Sequence, residues 1–268
     1  MKKEQCRLCG GYQLEYIFSH LILKKYNVKY YICNNCQLLQ TEKPYWLEEA
    51  YVSSISTSLD TGIMSRNINL CKISSAFIYF LLPKDEKFID YGGGYGIFTR
   101  LMRDVGYDFY SYDKYNKSLF AKGFEAVSCQ EYVGATAFEV FEHLDNPNET
   151  LDDIFSYLQN KNVLFSTVLY GNWPPNPDDW WYYVFDTGQH IAFYNIKTLR
   201  WIAEKYNLNL WSNGRSLHYL SENKISTWKL NALSRINKVL FPYITRVMPS
   251  KTTEDHNTLH NLNSTIQD

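Results

Sequence analysis

The sequence predicts an α/β fold in which a small N-terminal zinc ribbon precedes a doubly wound, mostly parallel, seven-stranded sheet. Three observations support this fold class. A glycine-rich turn joins an apolar strand to a helix near residue 90. From there to about residue 220, strand and helix patterns alternate, which is typical of a parallel sheet with helices on both faces. Two cysteine pairs in the first 40 residues indicate the ribbon.

The first element is a metal-binding ribbon over residues 1–45. Two C-x2-C pairs, separated by 23 residues, supply four thiolates that can close a tetrahedral zinc site: Cys6, Cys9, Cys33 and Cys36. Four protein ligands leave no open position, so we expect a structural zinc rather than a catalytic one. Cys71 and Cys129 have no matching partner and are expected to be ordinary buried thiols.

A linker and a first helix follow in residues 46–82. The polar stretch that begins at Tyr51 has no apolar periodicity. A helix is predicted over 63–82, because apolar residues recur there at helical spacing and Pro83 ends the pattern. This helix opens the large domain.

The glycine-rich turn carries the strongest functional signal. It lies between a predicted strand at 87–91 and a predicted helix at 96–105, and glycines permit a sharp turn and close approach to a ligand. A second strand at 108–112 leads to an acid that can hold ribose hydroxyls. These elements predict a nucleoside-binding half of a sheet, and the alternative is an ordinary glycine turn. The predicted cofactor-binding residues of this segment are Asp90, Gly92, Gly94, Gly96 and Asp113.

Further elements complete the predicted catalytic domain, 83–222. Strands are expected near residues 124–127, 135–140 and 161–167, with a hairpin at 207–220. Helices are expected near residues 115–121, 148–159 and 196–206. A last helix at 224–247 and a polar, mobile tail from about residue 250 make up the C-terminal region, 223–268.

Polar residues follow the fourth predicted strand, at the edge where α/β sheets bind ligands. The segment reads Phe138-Glu-Val-Phe-Glu-His-Leu144. Its candidate site residues are Glu139, Glu142 and His143. The alternative for Glu142 and His143 is that they cap the loop and touch no substrate.

A long loop over residues 170–195 is the expected substrate site. It contains three prolines and a run of four aromatic residues, which is unusual for a simple connection. His190 can accept a proton near neutral pH; its alternative is a buried histidine bonded to the backbone. The aromatic residues have an alternative too, which is to cover the fifth strand. The other candidate substrate residues of this loop are Trp180, Trp181, Tyr182 and Gln189.

The glycine motif and the segment after the fourth strand resemble class I methyltransferases that use S-adenosylmethionine. Together with the cysteine pairs, the polar linker that begins at Tyr51 and the late Gln-His-Ile-Ala-Phe-Tyr194 segment, they make residues 1–220 similar to the zinc-containing sugar methyltransferase group. The resemblance implies a Rossmann-like catalytic domain, S-adenosylmethionine as cofactor, and Glu139 beside its methionine part. It implies catalytic roles for His190 as general base and for Tyr51, with His143 as a further candidate.

One residue departs from the pattern of that group. Its best-understood branch methylates a carbon of nucleotide-linked keto-deoxysugars, with a Glu-His pair before the aromatic segment. Here Gln189 replaces the acid, and glutamine cannot accept a proton as a carboxylate does. We also expect no counterpart here of the further C-terminal domain of that branch. The expected acceptor is a sugar, nucleotide sugar or polysaccharide unit, methylated on oxygen or on carbon.

Composition bears on the competing functions. The 27 cations and 28 acids give a net charge of −1, so the chain shows no basic surface for an rRNA or other nucleic-acid methyltransferase. The glycine spacing disfavours a nicotinamide-dependent sugar enzyme, and a non-catalytic zinc-ribbon scaffold would bind no cofactor. The apolar runs are too short to span a membrane, and the N-terminus lacks an export signal, so we expect a cytoplasmic enzyme.

Overall fold

The computed structural model describes residues 4–51 and 60–265, with side chains up to residue 261. Most of the polar linker expected after Tyr51 lies outside the described residues. The strands in the described part are β1 (Leu14–Ile22), β2 (Tyr26–Cys33), β3 (Leu39–Thr41), β4 (Lys87–Tyr91), β5 (Asp108–Tyr112), β6 (Gly134–Ala137), β7 (Val163–Ser166), β8 (Ala192–Phe193), β9 (Asn209–Ser212) and β10 (Leu217–Ser221). The α-helices there are α1 (Leu47–Ala50), α2 (Ile63–Leu81), α3 (Ile97–Val105), α4 (Pro147–Ser156), α5 (Ile196–Lys205), α6 (Thr227–Val247) and α7 (Thr252–Thr265).

The chain divides into two compact units. The first unit consists of Met1–Ser56, Ala137–Ser156 and Val163–Lys224. The second unit consists of Thr57–Thr136, Tyr157–Asn162 and Ile225–Asp268.

A four-stranded antiparallel sheet carries the cysteine pairs in the first unit, in the order β1-β2-β3-β8. The hairpin between β1 and β2 turns through Leu23 and Lys24, which both have positive φ angles. The predicted ribbon of residues 1–45 therefore gains a strand, β8, from a segment about 150 residues further along the chain.

The core of the first unit is rich in aromatic residues. Tyr30, Tyr182, Tyr183 and Phe193 are buried in one cluster, and their rings meet mostly edge to face. Trp46 joins this cluster, and its Nε1–H donates to the carbonyl of Gly188 at 2.8 Å. Much of the aromatic loop at 170–195 is thus packed core.

The second unit contains three parallel strands, β4, β5 and β6, with β4 between the other two. Phe88 and Ile89 of β4 are buried, and Phe88 stacks on Phe109 of β5. Helix α3 follows β4 and ends at Gly106, whose φ of 119° lies in the left-handed region that favours glycine. This strand–turn–helix–strand order is the one the sequence predicts.

The larger sheet has six strands, in the order β5-β4-β6-β7-β10-β9. Strand β10 runs antiparallel to both β7 and β9, so the sheet is mixed. The prediction of seven strands is wrong by one, whereas the predicted hairpin at 207–220 is confirmed as β9 and β10.

The missing strand is the one expected at 124–127. This segment pairs only with Ser111, whose N–H donates to Phe124 and whose carbonyl accepts from Ala126. The N–H of Val127 donates to the hydroxyl of Tyr132 instead of continuing a ladder. One bridge is therefore all that the segment contributes.

The helix expected at 115–121 is absent, because its backbone donors are used elsewhere. Asp113 accepts from the N–H groups of Tyr115 and Asn116. The N–H groups of Leu119 and Phe120 donate to the carbonyl of Tyr95. A turn, rather than a helix, follows β5.

The C-terminal region also differs from its prediction. Where a mobile tail is expected, the structure has the 14-residue helix α7. Its Asp255 is buried in ion pairs with Arg103 at 2.7 Å and Arg100 at 2.8 Å. Cys71 is buried as predicted, but Cys129 is exposed, so the expectation of a buried thiol there is wrong.

No helix within residues 4–51 and 60–265 is both long and apolar enough to cross a membrane.

Candidate functional site

The glycine turn of the second unit joins β4 to α3. Gly92, Gly94 and Gly96 have φ angles of 76°, 54° and 80°, which L side chains rarely adopt. The N–H groups of Gly92 and Gly93 donate to the carbonyl of Tyr112, at the end of β5. The turn is therefore fixed against the neighbouring parallel strand.

Asp90 lies buried beneath this turn. Its carboxylate accepts hydrogen bonds from the hydroxyls of Thr99, at 3.1 Å, and Thr136, at 2.8 Å. Burial raises the pKa of Asp90 to about 7, although both hydroxyls lower it. Asp90 thus shapes the turn from below, and the two threonines that hold it carry no signal in the sequence.

Asp113 connects the turn to the chain after β5. One carboxylate oxygen accepts from the N–H of Gly94 at 2.9 Å, and the other accepts from the N–H groups of Tyr115 and Asn116. The structure thus brings Asp90, Asp113 and the three glycines together in the second unit.

Glu139 belongs to the first unit, directly after β6. Its φ of 54° is unusual for a residue with a side chain. Its N–H donates to the hydroxyl of Ser166 at 2.9 Å, and that hydroxyl donates to the Glu139 carboxylate at 2.6 Å. Ser166 is the last residue of β7, a position where the sequence could have signalled it.

A short 3-10 helix, Phe141–His143, brings further predicted residues close to the aromatic loop. The N–H of Ile191 donates to the carbonyl of Glu142 at 2.8 Å, and the hydroxyl of Tyr194 donates to the carbonyl of Phe141 at 3.0 Å. These two bonds hold His190 beside the 3-10 helix. Glu142, His143 and His190 each offer one ligand atom within 4.8 Å of the others.

His143 is held by its Nδ1 atom. Nδ1 lies 3.1 Å from the carbonyl of Gln189, which can only accept, so we assign the proton to Nδ1. The hydroxyl of Tyr51 lies 3.2 Å from the same nitrogen. Burial lowers the pKa of His143 to about 4, so the imidazole is neutral at pH 7.

His190 has the same arrangement. Its Nδ1–H donates to the carbonyl of Tyr182 at 2.7 Å, which leaves the lone pair on Nε2. Burial lowers the pKa of His190 to about 3, and the nearby His143 contributes to this shift. The rings of His143 and His190 meet edge to face, with centroids 4.8 Å apart.

Glu142 is fully buried, and neither of its carboxylate oxygens makes a hydrogen bond in the described part of the chain. Burial and the nearby charge of Glu139 raise the pKa of Glu142 to about 8. The hydroxyls of Tyr182 and Thr167 lie close enough to lower this pKa, but neither reaches hydrogen-bonding geometry. The Glu142 side chain therefore does not cap the loop in the described part of the chain.

The remaining predicted substrate residues have different surroundings. Trp181 is 74% exposed, whereas Tyr182 is buried in the aromatic core. Trp180 packs against that core, with its ring 4.8 Å from Tyr183. The side-chain amide of Gln189 donates to the carbonyl of Ala50 at 2.8 Å.

The four predicted metal ligands lie together in the first unit. The sulfur of Cys6 is 3.5 Å from that of Cys36, and the sulfur of Cys9 is 3.5 Å from that of Cys33. All four lie within 4.8 Å of one another. Zinc–sulfur bonds of about 2.3 Å in a tetrahedron place sulfurs roughly 3.8 Å apart, so the four thiols fit one zinc ion.

Comparisons with known proteins bear on the family. Among solved structures, the chain is similar to a plantazolicin methyltransferase in complex with SAH (TM-score 0.48, 11% identity, covering 76% of this chain and 90% of that one). It is also similar to a methyltransferase from Thermotoga maritima described as a possible histamine N-methyltransferase (TM-score 0.45, 9% identity, 65% and 99%). No curated protein matches the sequence.

A sequence profile described as a methyltransferase domain matches residues 66–213, which is more than half of the chain. The protein therefore belongs to the methyltransferase domain family and is an S-adenosylmethionine-dependent methyltransferase.

Proposed function

We propose that the protein transfers the methyl group of S-adenosylmethionine to a hydroxyl of a small polar acceptor of the sugar, nucleotide-sugar or polysaccharide class. The observation that carries this proposal is the group of polar side chains next to the aromatic loop: Tyr51, Glu142, His143, Gln189 and His190. Such a group suits a substrate with several hydroxyls, because each hydroxyl needs a hydrogen-bond partner when it leaves water. The balanced charge of the chain supports a small acceptor over nucleic acid.

The residues of the second unit bind the cofactor in this proposal. The glycine turn leaves room for the amino-acid part, Asp90 holds the turn from below, and Asp113 accepts the ribose hydroxyls. The cofactor supplies an activated methyl group on a sulfonium, so the enzyme contributes mainly binding and orientation.

His190 activates the acceptor, in the simplest form as a general base. Its Nδ1–H is fixed on the carbonyl of Tyr182, so Nε2 carries the lone pair that can take a proton. The hydroxyl of Tyr51 and the imidazole of His143 lie 3.2 Å apart and form a second polar group. Transfer to oxygen suits this chain better than transfer to carbon, because Gln189 supplies no carboxylate and its amide is engaged with Ala50.

We also propose that the four cysteines bind a structural zinc ion. The spacing of their sulfurs supports this, as does the arrangement of Cys6, Cys33 and Cys36, which are all buried where no disulfide links them. A small sheet of this size commonly needs a metal to fold.

Two variants test acceptor activation and cofactor binding separately. His190→Ala should lower kcat at least about 100-fold with little change in cofactor affinity, since general bases contribute roughly that much. Asp113→Ala should weaken cofactor binding with a smaller effect on kcat. The measurements are titration calorimetry with S-adenosylmethionine and turnover of the acceptor, with the exposed His256→Ala as control. Equal losses in both quantities for His190→Ala would contradict its role.

The acceptor is identified by mass spectrometry of reactions with candidate nucleotide sugars, keto-deoxysugars and rRNA. We expect a 14-dalton increase on a nucleotide sugar or related sugar. A methylated rRNA product would favour the nucleic-acid alternative. Failure to bind S-adenosylmethionine at all would favour a scaffold.

A further inference from the structure

Glu142, His143 and His190 form a second group of metal-ligand type in the first unit, separate from the four cysteines. One carboxylate and two imidazoles come from a short 3-10 helix and the loop before β8. One carboxylate oxygen of Glu142 and one ring nitrogen of each histidine lie within 4.8 Å of one another. The ligand atoms of a tetrahedral ion lie roughly 3.4 Å apart. A shift of about 1 Å or less would close them around one ion.

The two histidines are oriented as metal ligands are. A histidine that binds a metal through one ring nitrogen almost always donates the other N–H to a carbonyl, a carboxylate or water. Here the Nδ1 of His143 bonds to the carbonyl of Gln189, and that of His190 to the carbonyl of Tyr182. Both Nε2 atoms therefore carry lone pairs, and both rings are fixed by the backbone.

The carboxylate of Glu142 gives a second reason to expect a metal ion here. It is fully buried, neither oxygen has a hydrogen-bond partner, and no ion pair in the described part of the chain includes it. A buried carboxylate without a partner is unfavourable, so proteins protonate such groups, pair them or place them on metals. The nearby charge of Glu139 disfavours a negative charge on Glu142 alone, and a bound cation would relieve this repulsion.

We propose that Glu142, His143 and His190 bind one divalent transition-metal ion through one carboxylate oxygen and two imidazole nitrogens. Two histidines and a carboxylate suit zinc, iron(II), cobalt or manganese, and three protein ligands leave positions open to a substrate oxygen. The four-cysteine group offers only thiolates and no open position, so the two groups differ in both preference and role.

The catalytic consequence rests on the proposed function. An acceptor hydroxyl bound at an open position of the ion would be oriented for attack and would lose its proton to solvent water more easily. Its oxygen would then form a bond to the methyl carbon as the methyl–sulfur bond of S-adenosylmethionine breaks. His190 would then act as a ligand, and Nε2 could not serve as the general base at the same time.

The test uses the full chain with zinc in the four-cysteine site, titrated with Co²⁺. Calorimetry counts the bound ions, and visible absorption distinguishes nitrogen and oxygen ligands from thiolates. We expect one additional Co²⁺ per chain without thiolate absorption, and at least tenfold weaker binding in Glu142→Gln and in His143→Gln. The exposed Glu149→Gln should bind Co²⁺ like the parent. His256→Ala should do so as well, which excludes the histidine pair His256 and His260 of α7.

Either of two results would overturn the metal proposal: no additional Co²⁺ in the parent chain, or binding that both Glu142→Gln and His143→Gln retain. Circular dichroism of each variant identifies one that has not folded, and the other variant then decides. Methyl transfer that persists when no divalent ion is bound at this site would reject the catalytic consequence and keep the proposed function. Binding of Co²⁺ without methyl transfer to any acceptor would support the metal site and reject the proposed function.

Discussion

Asp90 has two opposing requirements, because its carboxylate must be buried to support the glycine turn and yet accept two hydrogen bonds. Only the hydroxyls of Thr99 and Thr136 compensate for the loss of water. Two neutral donors do not offset the burial of a charge, which is why the pKa rises from 3.8 to about 7.

This rise has a consequence for stability. Between roughly pH 4 and pH 7 the unfolded chain has lost the Asp90 proton and the folded chain keeps it, so the folded state binds more protons and stability falls as pH rises. The full effect is on the order of 4 kcal/mol. Asp90→Asn cannot ionise, so the parent should lose stability relative to this variant as pH rises from about 4 to 8.

Urea unfolding at several pH values measures this difference. The exposed Asp85→Asn is the control and should show no such trend. A constant difference between the parent and Asp90→Asn across this range would mean that Asp90 is ionised in the folded protein throughout.

The sequence predicts the groups that act through their spacing. Cysteine pairs and alternating glycines carry their geometry locally, so both were found. The groups that orient His143 and His190 were not, because they are the backbone carbonyls of Gln189 and Tyr182. A carbonyl is present in every residue, so no sequence signal marks it.

At the element scale, helix α7 shows why the C-terminal prediction failed. Sequence periodicity detects helices that bury an apolar stripe. Helix α7 is instead held by the carboxylate of Asp255, which binds the guanidinium of Arg103 through two bonds and that of Arg100 through one. Two ion pairs at one buried carboxylate give no periodic pattern.

Arg103 makes this helix testable. Its guanidinium is 3% exposed, and burial would lower its pKa, but Asp255 and Asp108 hold the pKa above its ordinary value. Asp255→Asn leaves this buried cation with one carboxylate instead of two. We expect a loss of about 3 kcal/mol of stability, as for other buried ion pairs broken on one side.

Urea unfolding measures the loss of stability, and hydrogen exchange shows which part of the chain is destabilised. Amides of α7 should exchange faster in Asp255→Asn than in the parent. Glu254→Gln, next to it on the exposed side of the helix, should cost under about 1 kcal/mol. Similar losses for the two variants would show that Asp255 is no more than a surface charge.

The strand predicted at 124–127 is wrong because of how the segment pairs with its neighbour. Phe124 and Val127 favour a strand, but a strand needs a partner along its whole length, and here only Ser111 provides one. Propensity describes the segment, whereas the length of a ladder depends on a neighbour that the segment does not specify.

At the scale of the whole molecule, the cysteine sheet and the proposed acceptor site share the first unit. The side chain of Arg7, which lies between two of the cysteines, donates to the carbonyl of Ile191 at 2.5 Å and pairs with Asp145 at 2.9 Å. Strand β3 pairs with β8, two residues after His190. The sequence alone treats the ribbon as a separate domain over 1–45, because contacts between residues so far apart leave no local pattern.

These contacts predict that the proposed zinc ion supports catalysis from a distance. Cys36→Ser removes one of four ligands, so zinc per chain, measured by mass spectrometry, should fall well below one. The loop at 189–194 should exchange its amides faster, and kcat should fall about tenfold or more, because His190 loses its fixed position. Affinity for S-adenosylmethionine should change less than about twofold, since the glycine turn and Asp113 belong to the second unit. Cys129→Ser, at an exposed thiol, is the matched control and should keep zinc, exchange and kcat. If Cys36→Ser loses zinc and still turns over the acceptor at the parent rate, the ribbon does not position His190.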